Sequence, residues 1–385
     1  MKANREEVVQ LLDQMVRIES VTPWLIADGS GESEIAQFIA TWLGDLGLEI
    51  TLDEVVPGRP NLLARLKGTG AGPTLCINAH SDTVGYANWA DRALNPWIDG
   101  DRMYGLGATD DKASCVAAMI AVRDLVKSGA QLNGDVLIAC VIDEEGLSIG
   151  TEHLVANHSI DAAIVIEPMA LPVAITEHQG FGWIDIIVHG KASHGSTPDD
   201  GIDAIVHMAE VIRGLHQLDE REWKKNPNPR NGRTVFHAST ISGGTDYATY
   251  PNRAVLGIEI GTQPGEQLSD RIRDIEGVFQ EVKKEFPDFR AEIEIKVERQ
   301  PFVGKDFEAL LSAMNEAAVE VLGVPMDNQG LNAWTDAALL QSAGIPTILM
   351  GPLGGNLHSP DEWADIPELL QTIELLKATI VNFLK

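Results

Sequence analysis

Residues that can bind metal ions stand at two turning points in the first third of the chain. The apolar run TLCINA ends on His80, with Asp82 two residues later, and a glycine-rich loop then brings Asp110 and Asp111 to the start of a helix. Imidazole and carboxylate groups at such positions suit a divalent metal ion. We expect His80 to bind an ion, Asp82 to hold the other ring nitrogen of His80, and Asp111 to bridge two ions.

A simpler interpretation of these residues is structural. The motif HxD is a common polar turn, and an acidic first turn of a helix is favoured by the helix dipole. A role for Asp110 as a helix cap explains this residue as well as a chemical role does. Further candidate ligands in the stretches VIDEEG, VIEP and GNLHSPDE favour the metal site over this alternative.

The elements around these residues predict an α/β fold. A strand ending at His80, a helix over Lys112–Ser128 and two more apolar strands, before Glu144–Glu145 and before Glu167, follow in order. Continuously apolar strands that alternate with helices indicate a sheet covered by helices on both faces. The carboxyl ends of such strands form the edge where ligands bind, so these residues should converge on one crevice.

A second domain is predicted within the first. From about Gly180 the pattern changes to βαββαβ, which is typical of a ferredoxin-like α+β sandwich with exposed strands that can pair with a partner. After Gln300 the α/β pattern returns. We expect a catalytic metal-binding domain with a mixed sheet over residues 1–179 and 299–385, and an inserted domain over residues 180–298.

The predicted crevice holds two imidazoles and three carboxylates. Such a set fits two divalent ions, best zinc but also cobalt or manganese, and the ions would acidify a shared water. Glu144 and Glu145 are neighbours and should point in opposite directions, so we assign Glu145 to the metal and Glu144 to general-base catalysis. The five predicted ligands, in chain order, are His80, Asp111, Glu145, Glu167 and His358.

Composition excludes several partners. The chain has 385 residues and a formal net charge of −28, which disfavours nucleic acid and anionic membranes because phosphate contacts need clustered Lys and Arg. No apolar run is long enough to span a bilayer and the N-terminus lacks a signal-peptide core, so we expect a cytoplasmic protein. Cys76, Cys115 and Cys140 lie in apolar segments and are predicted to be reduced thiols.

The motifs together resemble a known family. HSDTV, GLGATDDK, DEEG, IEP, ASHGSTPDDGIDAI and GNLHSPDE follow in the order of the dinuclear zinc peptidases and deacylases typified by acetylornithine deacetylase, succinyl-diaminopimelate desuccinylase, aminoacylase and bacterial glutamate carboxypeptidase. The resemblance implies that Asp111 bridges two zinc ions, that Asp82 supports a ligand and that Glu144 is the base. It also implies that the ions are held by His80, Asp111, Glu145, Glu167 and His358.

The resemblance gives His194, in GKASHGSTP, a role at the active site. It implies that the inserted domain acts as a lid and dimerisation domain, and that His194 reaches the metal site of a neighbouring subunit and helps to bind the oxyanion. A homodimer is therefore expected. A hydrogen-bond donor is needed wherever a tetrahedral intermediate gains charge.

Two positions depart from the family pattern. Ala248 stands where an asparagine is common, and Gly261 stands where an arginine is common. Because those residues often bind the substrate carboxylate, recognition of that carboxylate is expected to differ here. Arg230, Arg233 and Arg253 are the candidate substitutes.

The predicted function is a metal-dependent amide hydrolase that releases an amine or amino acid from an N-acyl amino acid or small peptide. The alternative is a non-catalytic ligand-binding or scaffolding protein that retains the family fold. The adjacent pair Glu144–Glu145 favours the enzyme, since a protein without activity needs no base beside a metal ligand.

Overall fold

The computed structural model describes residues 3–87 and 89–385. Contacts divide the chain into two compact units, and the second is made of Glu177–Val303 and Gln329–Ala338. The first unit contains the chain up to Thr176 together with Gly304–Asn328 and Leu339–Lys385. The assignment of a catalytic domain to residues 1–179 and 299–385, and of a lid domain to residues 180–298, stays a prediction.

The α-helices are numbered in chain order. They are α1 Arg5–Val16, α2 Ser33–Gly44, α3 Ala90–Ala93, α4 Lys112–Ser128, α5 Ile149–Asn157, α6 Ala204–Leu218, α7 Leu268–Glu285, α8 Glu308–Leu322, α9 Ala337–Ser342 and α10 Ile366–Phe383.

The strands are numbered in the same way. They are β1 Glu49–Val56, β2 Arg59–Leu66, β3 Leu75–His80, β4 Trp97–Asp99, β5 Arg102–Tyr104, β6 Val136–Val141, β7 Ala162–Ile166, β8 Val173–His178, β9 Gly180–His189, β10 Phe236–Gly243, β11 Arg253–Thr262, β12 Arg290–Arg299, β13 Phe302–Val303, β14 Asp327–Leu331, β15 Thr347–Met350, β16 Gly354–Gly355 and β17 Trp363–Asp365.

The first unit is built on a mixed sheet with the order β1-β2-β6-β3-β7-β15-β8. Strands β6, β3, β7 and β15 run parallel, and every residue of these four strands is buried. Such strands need helices to cover them, and residues of α1, α2, α4, α8 and α10 join them in one apolar core. The predicted α/β class with a mixed sheet is confirmed.

Helix α4 is the centre of this core. Its residues from Lys112 to Leu125 are all buried, and small side chains such as Ala117 and Ala118 let neighbouring elements approach closely. The helix ends at Ser128, and Gly129 after it has a φ of 67°, the left-handed conformation that glycine adopts most readily. The sequence predicted both ends of this helix.

A small antiparallel sheet, with the order β16-β17-β5-β4, also belongs to the first unit. It pairs Trp363 with Tyr104 and Gly355 with Trp363, and so fixes both ends of the loop between β16 and β17. That loop carries His358. Each of these strands has only two or three residues, too few for a hydrophobic pattern to predict them from the sequence.

The second unit is an antiparallel sheet with the order β10-β11-β9-β12, on which α6 and α7 pack through one apolar core. This is the strand order of a ferredoxin-like βαββαβ unit. Helix α6 begins at Ala204, because the side chain of Asp203 accepts hydrogen bonds from the N–H groups of Ile205 and Val206.

Within the described residues, no helix combines the length and apolarity needed to cross a membrane.

Candidate metal centre

Three strand ends of the first unit bring candidate ligands to one edge of the sheet. β3 ends on His80, β6 ends shortly before the turn that contains Glu144 and Glu145, and β7 ends just before Glu167. Because β3 pairs in parallel with both β6 and β7, the three ends lie at the same edge. Open α/β sheets bind their ligands at that edge.

Asp110 is the carboxylate that contacts both histidines. Its Oδ1 lies 3.0 Å from Nε2 of His80, and its Oδ2 lies 3.3 Å from Nε2 of His358. The ligand atoms form two groups within 4.8 Å, one of His80, Asp110 and Glu167 and the other of Asp110, Glu145 and His358. A carboxylate that turns one oxygen to each group is placed as a bridge between two ions.

This geometry corrects the predicted bridge from Asp111 to Asp110. Asp111 is fully buried, and its Oδ2 accepts a hydrogen bond of 3.1 Å from the N–H of His80. The backbone at the head of α4 therefore directs Asp111 against β3 and Asp110 towards the histidines. Asp110 is not the helix cap either, because Asp111 occupies the N-cap position, and it does so without a side-chain capping bond.

Glu145 belongs to the second group and Glu144 to neither. Oε1 of Glu145 lies 3.0 Å from Nε2 of His358. The N–H groups of Glu144 and Glu145 donate to Oδ1 and Oδ2 of Asp82, at 3.0 and 3.1 Å. Asp82 thus orients the whole acidic turn, while its backbone carbonyl lies 3.1 Å from Nδ1 of His80.

Glu362 was missed by the sequence analysis and holds the loop of Asp110. Its two carboxylate oxygens accept hydrogen bonds from the N–H groups of Gly107, Thr109 and Asp110 at 3.0–3.1 Å. Burial, reinforced by the charge of Asp110, raises the pKa of Glu362 to about 8 although these bonds oppose the shift. The sequence feature that could have pointed to Glu362 is its position in GNLHSPDE, four residues after His358.

Crowded carboxylates make this site attractive to cations. Burial alone would lower the pKa of His358, but its hydrogen bonds to Asp110 and Glu145 raise the pKa to about 11. The same competition, with Asp110 and Asp82 as partners, raises the pKa of His80 well above its ordinary value. Without another cation the carboxylates draw protons onto both rings, whereas a bound metal ion would replace those protons.

The donor set fits a pair of transition-metal ions. Two ligands bound to one tetrahedral ion at about 2.0–2.1 Å lie roughly 3.3 Å apart. The contacts of Asp110 and Glu145 with the imidazoles, at 3.0–3.3 Å, are close to that spacing. Each group would supply one imidazole, one carboxylate of its own and one oxygen of Asp110.

His194 lies in the second unit on an exposed loop. Its Nδ1 accepts a hydrogen bond of 3.2 Å from the N–H of Ser196. A ring nitrogen that accepts carries no proton, so the proton of the neutral imidazole is on Nε2.

The two departures from the family pattern also lie in the second unit. At Gly261 a Cβ atom would come within 2.5 Å of Oε1 of Gln179, so Gln179 fills the space that a longer side chain would need. Gln179 is buried and donates to the carbonyl groups of Asn231 and Arg233. The carbonyl of Ala248 accepts the N–H of Gly195, beside His194.

The three arginines named as substitutes differ in their contacts. Nε of Arg230 lies 3.3 Å from Glu177, and its Nη2 donates to a backbone carbonyl. Nη2 of Arg233 lies 3.7 Å from Asp219. Arg253 begins β11.

Comparison with protein families gives a direct match over most of the chain. The sequence profile of peptidase family M20/M25/M40 matches residues 76–382, which include every predicted ligand and Glu144. The chain belongs to this family. The family resemblance inferred from the sequence motifs is therefore confirmed, and the chain is a metal-dependent hydrolase of the kind that acts on acyl amino acids or peptides.

Two curated relatives illustrate the range of the family. The chain is 29% identical over 376 residues to acetylornithine deacetylase of Aliivibrio fischeri (strain MJ11), with 94% of this chain and 95% of the relative aligned. It is 26% identical over 412 residues to N-formyl-4-amino-5-aminomethyl-2-methylpyrimidine deformylase of Halalkalibacterium halodurans, with 99% and 95% aligned.

A solved structure confirms the fold. The crystal structure of a tripeptidase from Staphylococcus aureus superposes with a TM-score of 0.80 at 21% identity, covering 100% of this chain and 99% of that one.

Paired substitutions test which aspartate is the bridge. Asp110→Asn removes a charge shared by both ligand groups, so we expect the loss of both ions on dialysis. Asp111→Asn keeps an oxygen that can accept the N–H of His80, so metal affinity should fall by no more than about 10–100-fold, the usual effect of a residue behind the ligands. Metal content by mass spectrometry and titration with Zn²⁺ measure both. Loss of both ions from Asp111→Asn alone would restore Asp111 as the bridge.

Proposed function

We propose that this protein hydrolyses the amide bond of an N-acyl amino acid or small peptide with two divalent ions, in the manner of acetylornithine deacetylase and succinyl-diaminopimelate desuccinylase. Zinc suits the imidazole and carboxylate donors best, and cobalt or manganese would also fit. The observation that carries the proposal is the position of Glu144, next to the ligand Glu145 in a turn that Asp82 orients through two N–H bonds.

The ligands divide into two sites in this proposal. His80 and Glu167 would hold one ion, Glu145 and His358 would hold the other, and Asp110 would offer one oxygen to each. Ions bound there would supply polarisation of the scissile carbonyl and activation of water as the nucleophile. Asp82 keeps His80 in the orientation that presents Nε2 to the metal side.

Glu144 is assigned the proton transfers. Its carboxylate accepts a proton from water at the start of the reaction and donates it to the leaving nitrogen at the end. Glu144 is half-buried, whereas Asp82 behind it is fully buried. This difference suits a base that must meet both water and substrate.

His194 is assigned to the oxyanion. The Nε2–H of its imidazole is the kind of donor that stabilises the negative oxygen of a tetrahedral intermediate. We propose that it serves the metal site of a second subunit in a homodimer.

The exposed strand β10 supports an assignment of the dimer contact to the second unit. This edge has no charged carboxylate or ammonium group, and Ile241 on it is 63% exposed, with Ile205 and Val206 of α6 also exposed. The opposite edge, β12, carries alternating Arg, Glu and Lys residues that discourage pairing. Pairing of two β10 edges would join the sheets about a two-fold axis.

The first prediction concerns Glu144. Glu144→Gln should lower turnover by about 10²–10⁴-fold, the usual contribution of acid–base catalysis, while two ions still bind. Glu145→Gln is the matched control and should lose one ion. Steady-state kinetics and metal content measure the pair. If Glu144→Gln lost metal but retained turnover, Glu144 would be the metal ligand and Glu145 the base.

The second prediction concerns the substrate. Amine release from N-acyl amino acids and dipeptides should stop on chelation and return with Zn²⁺. Because Gly261 and Ala248 replace the usual carboxylate-binding residues, amidation of the substrate carboxylate should cost less than the 2–5 kcal/mol or so of a lost buried charge pair. A larger penalty, abolished by mutation of Arg230, Arg233 or Arg253, would identify the residue that binds the carboxylate. No metal-dependent release from any substrate would reject the proposed function.

The third prediction concerns assembly. Mixing His194→Ala chains with Glu144→Gln chains should restore activity, up to roughly half that of a wild-type dimer, because one site per heterodimer then has both residues. Mixing Glu144→Gln chains with the double variant is the control and should stay inactive. Heterodimers detected by native mass spectrometry that remain inactive would show that His194 does not act across subunits.

The dimer surface has its own matched pair. Ile241→Lys on β10 should give monomers in analytical ultracentrifugation, whereas Ile295→Lys on β12, at a position 47% exposed, should not.

A further inference from the structure

The turn that contains Glu144 and Glu145 begins at Asp143, whose φ of 66° lies in the left-handed region. The backbone carbonyl of Asp143 accepts the N–H of Gly146 at 3.1 Å, and its Oδ2 accepts the N–H of Leu147 at 3.0 Å. Asp143 therefore sets the path of the turn from one side, while Asp82 holds it from the other.

The remaining oxygen of Asp143 is bound from outside the turn. Its Oδ1 accepts hydrogen bonds from Nη2 of Arg59 at 2.7 Å and from the hydroxyl of Thr22 at 2.5 Å. Arg59 also donates to both carboxylate oxygens of Glu32, at 2.6 and 2.8 Å. The side chains of Glu32 and Asp143 are 0% and 1% exposed, and that of Arg59 is 15% exposed.

An arginine suits this position for a geometric reason. Its planar fork bonds Glu32 with two nitrogens and reaches Asp143 with one of them, which a lysine ammonium on a flexible stem cannot reproduce with the same geometry. Loss of the guanidinium would leave two buried carboxylates without the cation between them, and one of the two is the residue that shapes the turn.

We propose that Arg59 is a positioning residue for hydrolysis, which acts through Asp143 to hold the turn that presents Glu144 and Glu145 to the metal centre. The inference rests on the proposed function and adds to it a residue that lies at the start of β2, outside the ligand set. Small displacements of a base or ligand cost large factors in rate, so a support of this kind has a measurable effect.

The test compares Arg59 with a second arginine of the same strand. Arg65 pairs with Asp135 at 3.0 Å and is 22% exposed, but contacts no residue of the turn in its described hydrogen bonds and ion pairs. Arg59→Met should lower kcat about 10–100-fold with KM changed by less than about threefold, and should weaken Zn²⁺ binding by a similar factor. Arg65→Met should leave kcat, KM and metal affinity unchanged.

A double-mutant cycle separates positioning from general damage. If Arg59 acts through Asp143, then Arg59→Met combined with Asp143→Asn should lower kcat no further than the more damaging single change. Effects that multiply would overturn the proposal. If Arg59→Met does not fold, Arg59→Lys takes its place in the cycle with the same expectation.

A readout without catalysis distinguishes this inference from the proposed function. Amide hydrogen exchange over residues 144–148 of the metal-free protein should be faster in Arg59→Met than in wild type, and unchanged in Arg65→Met. If the wild-type protein is inactive but exchange is faster in Arg59→Met, the proposed function is rejected and the role of Arg59 in supporting the turn stands. If the wild-type protein is active but Arg59→Met changes neither exchange nor kcat, only the role of Arg59 is rejected.

Discussion

The metal centre depends on one constraint, which is that several carboxylates lie close together near the carboxyl ends of the parallel strands of the mixed sheet. Asp110 contacts both imidazoles, and Glu145 and Glu167 lie in the two groups that share it. Such like charges are tolerated in a buried place only when cations and N–H groups neutralise them. The raised pKa values of His80 and His358 have the same origin, because hydrogen bonds to the carboxylates favour the protonated form of both rings. A pair of divalent ions would neutralise the carboxylate charge and would give the site its chemistry.

Carboxylates that are not ligands hold the ligands in place. The N–H of His80 donates to Asp111, that of Asp110 to Glu362, and that of Glu145 to Asp82. In each case the acceptor comes from a different segment of the chain. Three loops are thereby tied together by charge-assisted bonds to main-chain N–H groups, which cannot rotate away as side chains can. The proposed role of Arg59 extends this arrangement by one more step, from Asp143 to β2.

Family membership and substrate preference depend on different features of the chain. The match over residues 76–382 establishes the family, and the ligand geometry explains why its chemistry needs a metal. The substrate is a separate matter, since the curated relatives include both an acetylornithine deacetylase and a deformylase of a pyrimidine. Gln179 fills the space beside Gly261, in the second unit.

The sequence by itself determined the α/β class, the strands that end at the metal edge and the residue types of the site. These follow from hydrophobic periodicity and from the side chains that metals require, and both are local properties. It could not determine which of Asp110 and Asp111 faces the ions, because adjacent side chains leave the backbone in different directions and only the path of the chain at the head of α4 selects one. Glu362 and Arg59 were likewise invisible, since their partners are 252 residues and 84 residues away along the chain. Contacts of that kind exist only after the segments have packed, and so the tertiary structure alone decided them.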